Sequence, residues 1–266
     1  MIDGSTRVFA VLGDPVAHSL SPAMQNAAFR VLGLKAVYVP IRCRPDDVPG
    51  LVRALSRAGG GGNITVPHKE AAARAVDRRE PMVDRLAACN TFWGENGASV
   101  GDNTDVAGLL AALDDLEAPP GAWLVLGSGG GARAAVGAAR ERGVAVSVTS
   151  RSADRRRRFE EWAATQGVRV AEPAGCTVII NTTPLGLSPG DPLPLAQPPD
   201  RAAVALDMVY TGGDTRWVLA MRAAGLRAAD GRAMLVAQGA AALELWFPGA
   251  RAPVEVMRAA VDARLR

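Results

Sequence analysis

Residues 123–135 read WLVLGSGGGARAA: an apolar run, then glycines, then small residues suited to the start of a helix. That order decides the fold class. A buried strand feeding a glycine-rich turn and a helix opens a βαβ unit, and the backbone N–H groups at such a helix start favour anions. Gly127 and Gly129 occupy the first two glycine places of the G-x-G-x-x-G/A pattern, with Ala132 in the third. Small residues let the backbone approach a pyrophosphate, which marks Gly127, Ser128, Gly129, Gly130, Gly131 and Ala132 as a candidate dinucleotide loop. The same letters also suit a tight turn with close helix–strand packing and no ligand.

The next strand, VAVSVT, ends in Ser150-Arg151-Ser152, with Arg155 one helical turn further on. An NAD site places an acid at this strand tip to hold the ribose 2′-hydroxyl. Here Asp154 falls inside the following helix, and guanidinium and hydroxyl groups stand at the tip instead. These suit a 2′-phosphate, so NADP is expected over NAD, with Arg151 and Arg155 as phosphate candidates and Arg156 to Arg158 facing solvent. The runs TVIINT and AVALDM continue the strand series.

Upstream, RVFAVL (7–12) reads as a buried strand. Ser21 is placed to cap a helix with Pro22 in its first turn and an apolar stripe of Met24, Ala27, Ala28, Val31 and Leu32. Strand AVYVPI, a helix near 46–58, strand NITV (63–66) and a helical stretch to about Ala88 follow. CNTFWGENGASVGDNTD forms two short strands about the turn Asn96-Gly97, and Asp105 opens the apolar helix VAGLLAALDDL. Alternating strands and helices predict a largely parallel α/β sheet. The helix RAMLVAQGAAALELWF and a last one after Pro253 are expected to pack back on the first domain, making it discontinuous.

The chain has 266 residues, 48% of them hydrophobic, enough for about two domains with sizeable cores. Charged residues interrupt every long apolar segment, and the N-terminus has neither a cationic start nor a long apolar run, so a cytoplasmic protein without membrane partners is expected. Cys43, Cys89 and Cys176 are odd in number and share no redox or metal-ligand spacing, which fits a reducing compartment. His18 and His68 stand isolated from any carboxylate cluster and are assigned structural or lining roles, without a metal site. The net charge is +3. The run Arg155 to Arg158 lacks interleaved aromatics, so no nucleic-acid partner is expected.

Lys69 is one of two lysines, with Lys35, against 28 arginines. Arginine stays protonated, whereas lysine can give up a proton and recover it, so a proton-transfer site accepts one and excludes the other. Small polar clusters flank the apolar strands: Ser19 and Ser21, Asn63 and Thr65, Lys69, Asn90 with Thr91, and Asn103 to Asp105. Each also has a local explanation. Lys69 suits a solvated first helical turn, Ser21 a cap, Asn90 a strand edge and Asp105 a helix start.

Taken together, VLGDPVAHSLSP, NITVPHK, ACNTFW, GDNTD, VLGSGGGARAA, NTTPLG, DMVY and MLVAQGAAALELW resemble the shikimate dehydrogenase family over essentially the whole chain. The resemblance implies an N-terminal α/β substrate domain plus a Rossmann-type doubly wound NADP-binding domain. The substrate-binding, catalytic part would span 1–105 and 234–266, and the cofactor part 106–233. It implies reversible NADPH-dependent reduction of 3-dehydroshikimate to shikimate by a monomer or homodimer, with Lys69 and Asp105 as the catalytic pair. Ser19, Ser21 and Tyr210 would bind the substrate carboxylate, and Asn63, Thr65, Asn90 and Gln238 the ring hydroxyls and carboxylate end. Thr182, Met208 and Gly231 would join the cofactor loop. The sequence departs from the family pattern at Ser150, where many members have Asn, and at Ala87 and Cys89 before Asn90. Broader quinate or NAD use stays open, as does a non-catalytic NADP sensor, which would not require both Lys69 and Asp105.

Overall fold

The computed structural model describes residues 2–188 and 190–265. The chain forms two compact units, one from the N-terminal residues up to Gly108 together with Leu235–Arg264, the other from Leu109–Met234. In the first unit, β1 (Arg7–Gly13), α1 (Ser21–Val31), β2 (Ala36–Arg42), α2 (Val48–Arg57), β3 (Gly61–Ile64) and α3 (Lys69–Ala75) alternate. They are followed by β4 (Arg78–Arg79), α4 (Pro81–Leu86), the hairpin β5 (Thr91–Glu95) and β6 (Ala98–Asp102), and α5 (Asp105–Asp115), within which the division between the units falls after Gly108. The six-stranded sheet runs β2-β1-β3-β5-β6-β4. β1 pairs in parallel with β2 and β3, but β5 is antiparallel to both β3 and β6. The sheet is therefore mixed rather than largely parallel, because Asn96-Gly97 turns the chain straight back with positive φ at both residues.

Five local expectations shift. Ser21 is the first residue of α1, not its cap, because the Ser19 side chain already accepts the Ser21 N–H (3.3 Å). Val31 is 60% exposed, and the buried face of α1 is Ser21, Met24, Gln25, Ala28 and Phe29. β3 lies two residues earlier than NITV. A Cβ at Gly61 would run into the Phe92 carbonyl and one at Gly62 into Ala10, so glycine is required by the close approach of neighbouring strands. The expected helix near 46–58 starts with a 3-10 turn at Pro45–Asp47, and the stretch to Ala88 is broken by β4.

The second unit contains β7 (Ala122–Leu126), α6 (Gly130–Arg142), β8 (Val146–Thr149), α7 (Ala153–Thr165), β9 (Cys176–Asn181), β10 (Val204–Asp207), α8 (Arg216–Ala223) and β11 (Arg227–Ala229). Its five-stranded sheet is wholly parallel in the order β11-β10-β9-β7-β8. A parallel bridge from Val146 to Val170 extends the outer edge past β8. Strand order reverses between β7 and β9, the switch point where doubly wound sheets bind ligands outside the carboxyl ends of their strands. Leu124, Leu126, Ile179, Ala205, Trp217 and Met221 form the core on one face. α8 and β11 were not anticipated, β11 being only three residues long.

α9 (Arg232–Trp246) and α10 (Val254–Leu265) complete the elements. In the first unit Trp246 of α9 stacks near Phe9 (centroids 4.8 Å apart) and Tyr38 (5.8 Å), with Phe29 and Phe247 closing an aromatic cluster over β1 and β2. Such pairs add to area burial by about 0.5–1.5 kcal/mol each. Among the described residues no helix is long and apolar enough to cross a membrane.

Candidate active site

Lys69 is the first residue of α3 and Asp105 the first of α5. A helix start favours acids, so Asp105 gains there and Lys69 does not. The tertiary fold offsets the mismatch: Lys69 Nζ donates to Asp105 Oδ2 at 2.6 Å, with the two side chains only 17% and 9% exposed. The Cys89 N–H donates to the Lys69 carbonyl, tying the start of α3 to the segment that carries Asn90.

A buried polar network surrounds this pair. Asn90 Nδ2 donates to Asp105 Oδ1 (2.8 Å) and Thr104 Oγ1 (3.1 Å). Its Oδ1 accepts from the Thr104 N–H (2.7 Å) and the Thr91 hydroxyl (3.0 Å). Asn103 accepts the Asp105 N–H and donates to the Ala88 carbonyl, fixing the turn into α5. Asn63 Nδ2 donates to Thr91 Oγ1 (2.9 Å) and the Asn90 carbonyl (3.2 Å), while its Oδ1 accepts from the Tyr38 hydroxyl (2.7 Å). Burial pushes the Tyr38 hydroxyl far above its usual range, with the Asn63 backbone and the Ser21 side chain acting in the opposite direction.

Thr65 follows β3 with its N–H on the Leu12 carbonyl, and the absence of a side chain at Gly13 leaves room for its methyl. Gln238 lies on α9, 8% exposed, with Nε2 donating to the Leu235 carbonyl (2.8 Å). His68 is buried and its Nε2 meets the Cys43 carbonyl (2.9 Å), a packing role. Among the described residues no group of three or more His, Cys, Asp or Glu side chains could hold a metal ion.

In the second unit the glycine loop follows β7. Gly127 has φ +114°, and a Cβ there would lie 2.6 Å from Thr182 Oγ1; at Gly131 it would lie 3.0 Å from Met208 Sδ. A Cβ at Gly231 would meet the Met208 carbonyl, whereas Gly129 has nothing within 4 Å. Thus Gly127, Gly131, Thr182, Met208 and Gly231 converge at the carboxyl ends of β7, β9 and β10. No side chain caps α6, which leaves its first N–H groups suited to an anion, and the glycine cradle fits a pyrophosphate. Ala132 is fully buried, so it serves helix–strand packing. Asp207 holds the two neighbouring loops by accepting from Asn181 Nδ2 (2.8 Å), the Thr215 hydroxyl (2.7 Å) and the Val209 N–H (3.0 Å); burial raises its carboxyl.

Arg151, just past the tip of β8, and Arg155, in the first turn of α7, are exposed. Ser152 caps α7 by accepting the Arg155 N–H (3.3 Å). Arg156 pairs with Glu160, and Arg157 with Asp154 and Glu161, along the same helix.

Residues 11–92 match the shikimate dehydrogenase substrate binding domain and residues 231–261 the shikimate 5′-dehydrogenase C-terminal domain. The chain is 38% identical to the shikimate dehydrogenase (NADP(+)) of Geobacter metallireducens, covering 100% of this chain and 99% of that one. It is 35% identical to the corresponding Microcystis aeruginosa protein, covering 98% of both. The chain belongs to the shikimate dehydrogenase family. The crystal structure of shikimate 5-dehydrogenase from Thermus thermophilus in complex with NADP(H) and shikimate superposes on this family member with a TM-score of 0.86, at 35% identity over 100% of both chains.

Within this shikimate dehydrogenase family member, Lys69, Asp105, Asn90, Asn63 and Tyr38 belong to one hydrogen-bonded network, and Ser21 lies in the same unit. Ser19, Thr65 and Gln238 lie in the same unit, while Tyr210 and the cofactor candidates lie in the other. Sequence reasoning missed Tyr38. Its available signals were scarcity, one of two tyrosines, and a place inside a strand-forming run.

Proposed function

We propose that this protein is an NADP-dependent shikimate dehydrogenase in which Lys69 and Asp105 manage the proton of the reacting hydroxyl. The observation that carries the assignment is the 2.6 Å Lys69–Asp105 contact in a buried network. NADP held by the glycine loop would supply the hydride acceptor for shikimate, and as NADPH the hydride donor for 3-dehydroshikimate. As the substrate carbon is oxidised, its hydroxyl proton passes to Lys69 Nζ; in reduction Lys69 returns a proton to the growing alkoxide, a contribution typically of 10²–10⁴-fold. Asp105 Oδ2 aims the amine. Asn90 in turn holds Asp105 Oδ1, and both its amide hydrogens are engaged, so a ring hydroxyl could be added there only in exchange for an existing bond. The role proposed for Asn90 is therefore to hold Asp105.

Ser19, Ser21 and Tyr210 are proposed to bind the substrate carboxylate, and Asn63, Thr65 and Gln238 its remaining polar groups. Gly127, Ser128, Gly129, Gly130, Gly131, Thr182, Met208 and Gly231 are proposed to cradle the cofactor, with Ser150, Arg151 and Arg155 toward its 2′-phosphate. The substrate part is assigned to 1–105 with 234–266 and the cofactor part to 106–233. Action in the cytoplasm as a monomer or homodimer belongs to the same reading, and three free cysteines support the compartment. Spectrophotometric turnover with shikimate and quinate, each with NADP and NAD, tests it. The expected order is shikimate with NADP first; absence of turnover with that pair would refute the assignment.

A further inference from the structure

We infer that Tyr38 is a positioning residue that makes Asn63 an acceptor-only contact, restricting it to a substrate hydroxyl that does not react. This rests on the shikimate dehydrogenase reading above. The argument is one of hydrogen-bond valence. An amide offers two N–H donors and an oxygen with two lone pairs. The Asn90 main-chain carbonyl can only accept, so the nitrogen of Asn63 must face it, and the second N–H goes to Thr91 Oγ1. The oxygen is thereby turned to Tyr38. Since Oδ1 has no hydrogen, the phenol must be the donor, and at 1% exposure Tyr38 has no water to use instead.

One lone pair of Asn63 Oδ1 remains, on a residue 6% exposed. A substrate hydroxyl can donate to that lone pair, but a ketone oxygen cannot. The oxygen on the reacting carbon alternates between hydroxyl and carbonyl, so facing Asn63 it would set two acceptors against each other in one of the two states. Lys69 suits that oxygen because an amine can donate to either form. Asn63 is thus assigned to a ring hydroxyl present in both shikimate and 3-dehydroshikimate. Tyr38 enforces this choice without touching the substrate.

Tyr38→Phe tests the inference by removing the phenol hydrogen with little change in shape. With the amide no longer locked, KM for shikimate should rise roughly tenfold. kcat should stay within about twofold, and its pH profile and KM for NADP should be unchanged, because Lys69 and Asp105 keep their contacts. The wild type should discriminate strongly against one of the two shikimate analogues that lack a single non-reacting ring hydroxyl. Tyr38→Phe should narrow that ratio at least several-fold. An unchanged ratio, or a loss confined to kcat with a displaced pH profile, would overturn the inference. If Tyr38→Phe does not fold, Asn63→Ala serves, since removing the acceptor must collapse the same discrimination and its persistence would overturn the idea. Wild-type enzyme inactive on shikimate would instead refute the functional assignment.

Discussion

At the residue scale, two side chains carry the sharpest expectations. Lys69→Ala should lower kcat by roughly 10²–10⁴-fold while KM for shikimate changes little, because the lost proton transfer matters in the transition state rather than in binding. Asp105 would keep the Asn90 donor, so the variant should still melt cooperatively, and near-wild-type turnover would remove Lys69 from the reaction. Arg151→Ala should raise KM for NADPH by roughly tenfold and leave NADH almost unaffected, since only the former carries the 2′-phosphate that an arginine pairs with. Equal effects on both would dismiss that role. Lys69 was legible in the sequence because lysine is so rare there. Tyr38 was not, because its importance lies in the Asn63 oxygen it faces, 25 residues away.

At the scale of elements, the loop between β7 and α6 is where backbone geometry and ligand binding meet. Gly127→Ala would place a methyl 2.6 Å from Thr182 Oγ1, whose hydroxyl is already committed to the Leu126 carbonyl (2.7 Å). It would also hold an alanine at φ +114°. A loss of about 1–3 kcal/mol is expected in chemical denaturation, with a raised KM for NADPH and an unchanged KM for shikimate. Wild-type values for both stability and NADPH would contradict the cradle. The strand–glycine–helix order was readable because each part is local. The true span of β3 was not, since its glycines answer to strands that approach from elsewhere in the chain, and β11 is too short to leave a periodic signal.

For the whole molecule, burial of carboxylates sets part of the pH dependence of stability. Asp102 is raised above its usual 3.8, chiefly by desolvation with the Glu80 charge adding, against the Asn103 N–H. A raised folded value means stability is full below 3.8 and is lost as pH rises through the folded value. Asp102→Asn keeps the acceptor for the Asn103 N–H but cannot ionise. Its Tm relative to wild type should therefore be more favourable at neutral pH than near pH 3.8. A Tm difference independent of pH would show that the charge has no cost. Asp3, lowered to about 2 mainly by Lys35, and Asp77, lowered by Ser99, act with the opposite sign; their contributions, lost as pH falls, cancel between the two proteins.

The sequence by itself determined the alternation of strands and helices, the glycine loop, the arginines that follow the neighbouring strand, and the set of small polar motifs that identify the family. These are carried by periodicity and by neighbours along the chain. Only the tertiary structure decided that the first sheet is mixed, that Ser21 lies inside its helix, and that Asn90 holds Asp105 while Tyr38 leaves Asn63 a single lone pair. Sheet order and hydrogen-bond saturation depend on which groups distant in sequence come within about 3 Å, and no local pattern of side chains encodes how many valences remain once they have met.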